Sequence, residues 1–159
     1  MNLFLLNLIL AISWSALSGS FTLSTLAVGF VLGFATLWLL QPLLGGPSAY
    51  FLRAYYWARL IVMFHYELVV SSIAVVWDVV TPRQMSRPGI VEVPLDIKSD
   101  TGILLVTNLI SLTPGTLSLD VSEDRKTLFV HAMFADDHEE VRAQLKNTME
   151  KWVREALET

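Results

Sequence analysis

Residues Leu3 to Leu40 read LFLLNLILAISWSALSGSFTLSTLAVGFVLGFATLWLL, a run without a single Asp, Glu, Lys or Arg. Followed outward, the charge-free stretch covers the first 52 positions, and all 26 charged residues of the 159-residue chain lie at or after Arg53. Water-soluble domains are charged at about a quarter of their positions throughout, whereas apolar runs of about 18 to 20 residues are the mark of bilayer spans. The pattern predicts two spans, residues 3–18 and 21–40, turned on Ser18-Gly19-Ser20. Helices suit such segments because each satisfies its own backbone hydrogen bonds in lipid. Ala16-Leu17-Ser18 resembles a signal-peptide cleavage site. No cationic segment precedes it and a second apolar run follows at once, which favours a retained span. Gly29 and Gly33 stand one helical turn apart and form a candidate packing seam for a neighbouring helix.

Gln41 to Ser48, QPLLGGPS, interrupts the helical pattern with two Pro and two Gly. A third long helix is expected over residues 52–80, closed by Pro82, so that the membrane region covers 1–82. At 1.5 Å per residue it reaches roughly 45 to 50 Å, beyond the roughly 30 Å of hydrocarbon. Arg53, Glu67, Ser71 and Asp78 share one face of this helix, opposite Val62, Val69, Ile73 and Val80. A charge facing lipid costs at least about 2.5 to 3.5 kcal/mol, so Glu67 and the nearby His65 should face protein or water. Three helices offer little interior, and the stripe is therefore expected to be sheltered by another subunit. His65, Glu67 and Asp78 are candidates for an ion route or a subunit contact. His65 and Glu67, two positions apart, point in opposite directions and do not make one site.

Arg83 and Arg87 follow the third segment and put the C-terminal part in the cytoplasm by the positive-inside rule. Three spans leave Arg53 and Arg59 outside, against that rule. If the third segment lies in the membrane plane instead, two spans remain and all four arginines are inside. The apolar character of Leu60 to Trp77 favours three. Trp14, Trp38, Trp57 and Trp77 fall near the ends of these segments, where indoles gather at the interface.

Of the charged residues, 22 follow from Arg83 onward, and periodicity replaces continuous apolarity. Residues 83–159 are expected to form a small cytoplasmic α+β domain of order β-α-β-β-α, a truncated ferredoxin-like unit. Its elements are a strand at Ile90 to Leu95, a helix at Thr101 to Leu112 capped by Ser99 or Asp100, and a hairpin of Thr116–Val121 with Leu128–Phe134. A last helix is capped by Asp136 or Asp137, with an apolar face from Val141 to Leu157. Thr113-Pro114-Gly115 ends the first of these helices and forms, with Asn108, a candidate interface turn.

Chemistry is scarce. The chain has no Cys, which removes disulfides, thiolate metal sites and cysteine nucleophiles. A net charge of -4 without any Lys/Arg run argues against nucleic acid. Asp136-Asp137-His138-Glu139-Glu140 looks like a metal cluster, but consecutive residues on a helical turn diverge, and acidity at a helix N-terminus accounts for it better. His131 on the hairpin could join it or could pack or meet solvent. No nucleophile elbow or phosphate loop is present. These readings point to a component with no enzymatic activity, no cofactor and no metal. The rival is a stand-alone membrane-anchored binding or sensor module.

The strings Ser86-Arg87-Pro88-Gly89-Ile90-Val91, Asn108-Leu109-Ile110-Ser111-Leu112-Thr113-Pro114-Gly115-Thr116 and Leu128-Phe129-Val130-His131-Ala132 resemble the E subunit of Mrp-type multisubunit sodium/proton antiporters. The resemblance extends over nearly the whole chain, including the charge-free hairpin and the Thr81-Pro82-Arg83 exit. It implies an accessory, multi-pass subunit in a prokaryotic cell membrane, the inner membrane where there are two. Its partners would be other membrane subunits and the lipid bilayer. The complex would exchange Na+ or another monovalent cation for protons in sodium extrusion and pH homeostasis, with proton translocation attributed to other subunits.

Overall fold

A computed structural model describes residues 2–44, 46, 48–82 and 85–158. Arg83, which carries part of the orientation argument and of the exit motif, lies outside the described residues, as does Pro47. The chain divides into two compact units, Met1–Ala54 and Tyr55–Thr159.

The first unit is a helical hairpin of α1 (Leu3–Leu17) and α2 (Leu23–Leu39), followed by a short 3-10 turn at Gln41–Leu44 and the beginning of α3 (Ala49–Val80). Asn2 caps α1 by accepting from the Phe4 and Leu5 amides. Thr22 and Thr25 form a reciprocal capping box at the start of α2. Gly19, at φ +65°, closes α1 in the left-handed conformation that a residue with a Cβ resists. The buried positions are Asn7, Ala11 and Ser15 on α1 against Gly29, Gly33 and Leu37 on α2, each set at helical spacing. Large apolar side chains such as Ile9, Ile12, Val31 and Leu39 point outward. Small residues bring the two backbones together, and the packing is tight at the glycines.

The second unit carries the rest of α3, then β1 (Gly89–Pro94), α4 (Asp100–Leu112), β2 (Thr116–Val121), β3 (Thr127–Ala132), α5 (His138–Leu145), a π turn (Lys146–Glu150) and α6 (Lys151–Leu157). The sheet order is β1-β3-β2 with both pairings antiparallel. β1 and β2 therefore run in the same direction with β3 between them, the arrangement of a split β-α-β unit. Alternation decides the sheet face: Val91 and Val93 on β1 and Leu128, Val130 and Ala132 on β3 are buried together. Against them pack Val106 and Ile110 of α4 and Met149, Trp152 and Val153 from the C-terminal helical stretch. Fully burying one such side chain stabilises by about 1.5–3 kcal/mol.

Local signals end each element. Ser99 caps α4 by accepting from the Gly102 amide at 3.2 Å. Thr113 and Thr116 donate to the Leu109 and Ile110 carbonyls at 2.9 and 2.7 Å, closing its last turn. Asp137 caps α5 by accepting from the Glu139 and Glu140 amides. The free edge of β1 is covered by side chains: Arg142 Nε donates to the Glu92 carbonyl at 2.8 Å and Lys146 Nζ to that of Pro94 at 3.0 Å. On β2, Leu119 is an extra residue in a bulge between Ser118 and Asp120, and the Ser118 amide is taken by Ser111 Oγ at 3.1 Å.

α3 belongs to both units, the division falling after Ala54. The physical reason is that Leu60 is buried in the core of the second unit, with Tyr56, Met63 and Phe64 packed around it.

Candidate functional site

The residues singled out on α3 and at the α4–β2 turn come together in the second unit. Glu67, Ser71, Pro114, Gly115, Thr116 and Gln144 line part of a cavity of about 220 Å³ between α3, the α4–β2 turn and α5. Glu67 Oε1 accepts from Gln144 Nε2 at 2.9 Å. Gly115 has φ +88°, and a Cβ there would lie 3.5 Å from Val75 Cγ2 of α3. The turn is thus set against the chain's own long helix. Asn108 stands apart from it, exposed on α4 with its amide donating to the Leu104 carbonyl at 2.7 Å.

Asp78 is 4% exposed. Its Oδ1 accepts from the Met85 and Ser86 amides at 2.6 and 3.0 Å, which fixes the chain as it leaves α3. At the other end of the helix Arg59 pairs with Glu155 of α6 at 2.5 Å. The sequence predicts that the polar stripe of α3 meets a neighbouring subunit, and the structure gives part of it partners within the chain. Glu67 and Asp78 find theirs after α3, while Arg53 stays exposed. His65 points away from the stripe, exposed, with Nδ1 2.7 Å from the Ile61 carbonyl.

Gly29 and Gly33 sit against α1. A Cβ on Gly29 would come within 2.9 Å of the Ala11 carbonyl oxygen and Trp14 Cβ, and one on Gly33 would collide with Asn7 Oδ1. Asn7, fully buried, donates through Nδ2 to the Tyr50 hydroxyl at 2.9 Å. Among the described residues its Oδ1 has no N–H or O–H donor, and it lies over the Gly33 backbone, where a Cα–H contact is the available partner.

The acidic run before α5 is divided among separate tasks. Asp136 pairs with Arg87 at 3.2 Å, Asp137 caps the helix and Glu139 pairs with Arg142. Among the described residues no three His, Asp or Glu side chains converge on one point. His131 lies in register with Ile90 and Leu117 on the sheet face opposite Leu128 and Val130. Glu150 is not among the residues that the sequence singles out. The π turn rotates it into the core at 2% exposure, where Oε1 accepts from the Asp96 and Ile97 amides at 2.5 and 2.9 Å. Only the acidic residue beside Met149 and Trp152 hinted at it.

With the fold and these side chains placed, comparison with known proteins gives the family. Residues 7–156 match the family model described as Na+/H+ ion antiporter subunit. The chain belongs to this family. It is 41% identical to the E1 subunit of the Na+/H+ antiporter of Staphylococcus haemolyticus over 155 residues, covering 97% of this chain and 96% of that one. It is 36% identical to the E subunit of the Na+/H+ antiporter of Alkalihalophilus pseudofirmus over 151 residues, 95% of each chain. Among solved structures, a chain of the Mrp complex from Dietzia aligns with TM-score 0.50 at 28% identity, covering 63% of this chain and 94% of that one. A chain of the archaeal membrane-bound sulfane sulfur reductase shares the fold, with TM-score 0.57 at 24% identity over 97% of this chain and 98% of that one. Membership makes the chain a membrane protein of bacterial type and an accessory subunit of a multisubunit Na+/H+ antiporter.

Proposed function

We propose that this subunit supports assembly or full activity of the antiporter and leaves cation and proton translocation to the other membrane subunits. The observation that carries the reading is the fate of its ionisable groups. Glu67 is bound to Gln144 and Asp78 to two backbone amides of the following segment. Both then act as ties between α3 and its own domain. No enzymatic role accompanies them. His65 and Asn108, both exposed, are the proposed contacts to neighbouring subunits. Thr113, Pro114 and Gly115 shape the turn on which α3 rests.

In this reading α1 and α2 cross the bilayer, short for the purpose at 15 and 17 residues. Local thinning of the lipid accommodates such lengths. The domain that begins after α3 is cytoplasmic, because Arg53, Arg59, Arg83 and Arg87 then all lie inside.

Purification in mild detergent tests the reading. The subunit should co-migrate with several hydrophobic partners, and Glu67→Gln should leave both co-migration and Na+-dependent proton flux in everted vesicles within about twofold of wild type. A lone monomer from native membranes would overturn the assembly role. Flux abolished in an intact Glu67→Gln complex would return Glu67 to the ion route.

A further inference from the structure

α3 is the one described helix long and apolar enough to cross a membrane by length and composition, yet its surroundings conflict with crossing. Its inner face meets the C-terminal domain from Tyr56 and Leu60, through Glu67, to Asp78. That interval is 22 residues, or about 33 Å at 1.5 Å per residue, the full thickness of the hydrocarbon core. If α3 crossed, the domain beside it would be carried into the hydrocarbon. That domain includes the Arg59–Glu155 pair and the exposed charges Lys98, Asp100 and Glu123. Each charge left facing lipid costs at least about 2.5 to 3.5 kcal/mol.

The outer face has the opposite character. Tyr55, Val62, Tyr66, Val69, Ile73 and Trp77 lie within about 80° of one another on the helical wheel. They are 57 to 65% exposed, and the charge on that arc, Arg59 at its edge beside Trp77, is paired with Glu155. A contiguous apolar strip of this length is not left in water.

Two features identify the cover as lipid. The aromatic residues of the face, Tyr55, Tyr66 and Trp77, are spread from one end of the strip to the other. Interfacial side chains in a crossing helix gather at its two ends instead. In the sequence the strip lies between Arg53, inside α3 on its polar side, and Arg87, beyond the helix and paired with Asp136, so that both ends of the strip carry a basic residue that can stay on one side of an anionic surface. The chain also reaches α3 directly from the hairpin, since only residues 40–48 separate the end of α2 from Ala49. Such a connector keeps the start of α3 within about 30 Å of the end of α2.

We infer that α3 lies in the plane of the membrane on anionic lipid, its apolar strip buried at the headgroup boundary and its polar stripe covered by the α+β domain. This rests on the proposed hairpin insertion, leaves two spans rather than three and puts all the arginines on one side.

The absence of Cys makes a depth profile practical. The full chain carrying a single spin label at Y55C, V62C, V69C or I73C is reconstituted in vesicles of phosphatidylcholine and phosphatidylglycerol. Depth is read from collision with oxygen against a water-soluble nickel complex. The four positions should report one shallow depth, about 5–10 Å below the boundary. V31C on the outer face of α2 serves as the deep reference. A profile that deepens toward Val69 and rises again would mean a span and overturn the inference. Water-like accessibility at all four sites would overturn it as well. A shallow V31C with shallow α3 positions would instead remove the hairpin insertion and leave the in-plane helix standing.

Discussion

The two units of this chain are built inside out with respect to each other. In the α1–α2 hairpin the buried positions are Asn7, Ala11, Ser15, Gly29 and Gly33, and the large apolar side chains face outward. In the C-terminal unit Val91, Leu128, Val130, Met149 and Val153 are buried and the charges face outward. The difference is what burial that follows the solvent would give, with the hairpin in lipid as proposed. Against water, removing apolar area is the main gain, at about 25 cal/mol per Å². Against lipid there is no such gain, and close backbone approach decides packing. The same substitution should therefore have opposite consequences in the two units.

Shortening a core side chain should hurt the C-terminal unit most. Leu128→Ala is expected to cost about 2–5 kcal/mol. In everted vesicles the domain should become sensitive to protease while the hairpin stays membrane-bound. Loss of the whole chain from the membrane would show that the units do not fail separately. In the hairpin the harmful change is enlargement. Gly33→Leu would drive a side chain into Asn7 and within 3.1 Å of Leu10 Cβ, where over-packing costs up to about 3 kcal/mol. Membrane levels of the subunit should fall by roughly a hundredfold, since each 1.4 kcal/mol is a factor of about ten. Gly33→Ala should have a smaller effect in the same direction, and normal levels for both variants would break the contrast.

Asp78→Ala removes a buried acceptor of two backbone amides, and hydrogen bonds to charged groups are worth about 1.5–3 kcal/mol. Faster amide exchange at Met85 and Ser86, with the sheet unaffected, would place the effect at the exit of α3. Asp124 gives the smallest effect. The Ser122 hydroxyl and the Lys126 amide donate to its carboxylate and hold its pKa below the ordinary value. Its ionised form stabilises the turn above the unfolded-state pKa, and that contribution fades as pH falls through the lower folded value. A titration midpoint at or above that of an unstructured aspartate would contradict this.

Much of the C-terminal unit was legible because its signals are local. Ser99 caps α4, Thr113-Pro114-Gly115 ends it, Asp137 caps α5, and alternation marks β2 and β3. The angular position of the polar stripe on α3 was legible too, but not what would face it. Arg59 meets Glu155 and Glu67 meets Gln144 across 96 and 77 positions of chain, and no periodicity encodes such distant pairings. Glu150 escaped for another reason. A regular helix would turn it partly toward solvent, and the π turn at Lys146–Glu150 shifts that regular register.

Arg142 and Lys146 occupy carbonyls along the outer margin of β1, and Ser111 takes an amide on that of β2. A three-stranded layer would ordinarily invite another polypeptide to extend it at either side. Here the domain's own side chains occupy part of each margin. Where these groups are occupied another strand cannot pair with them, and a neighbour or a second copy would have to engage shape and side chains there instead.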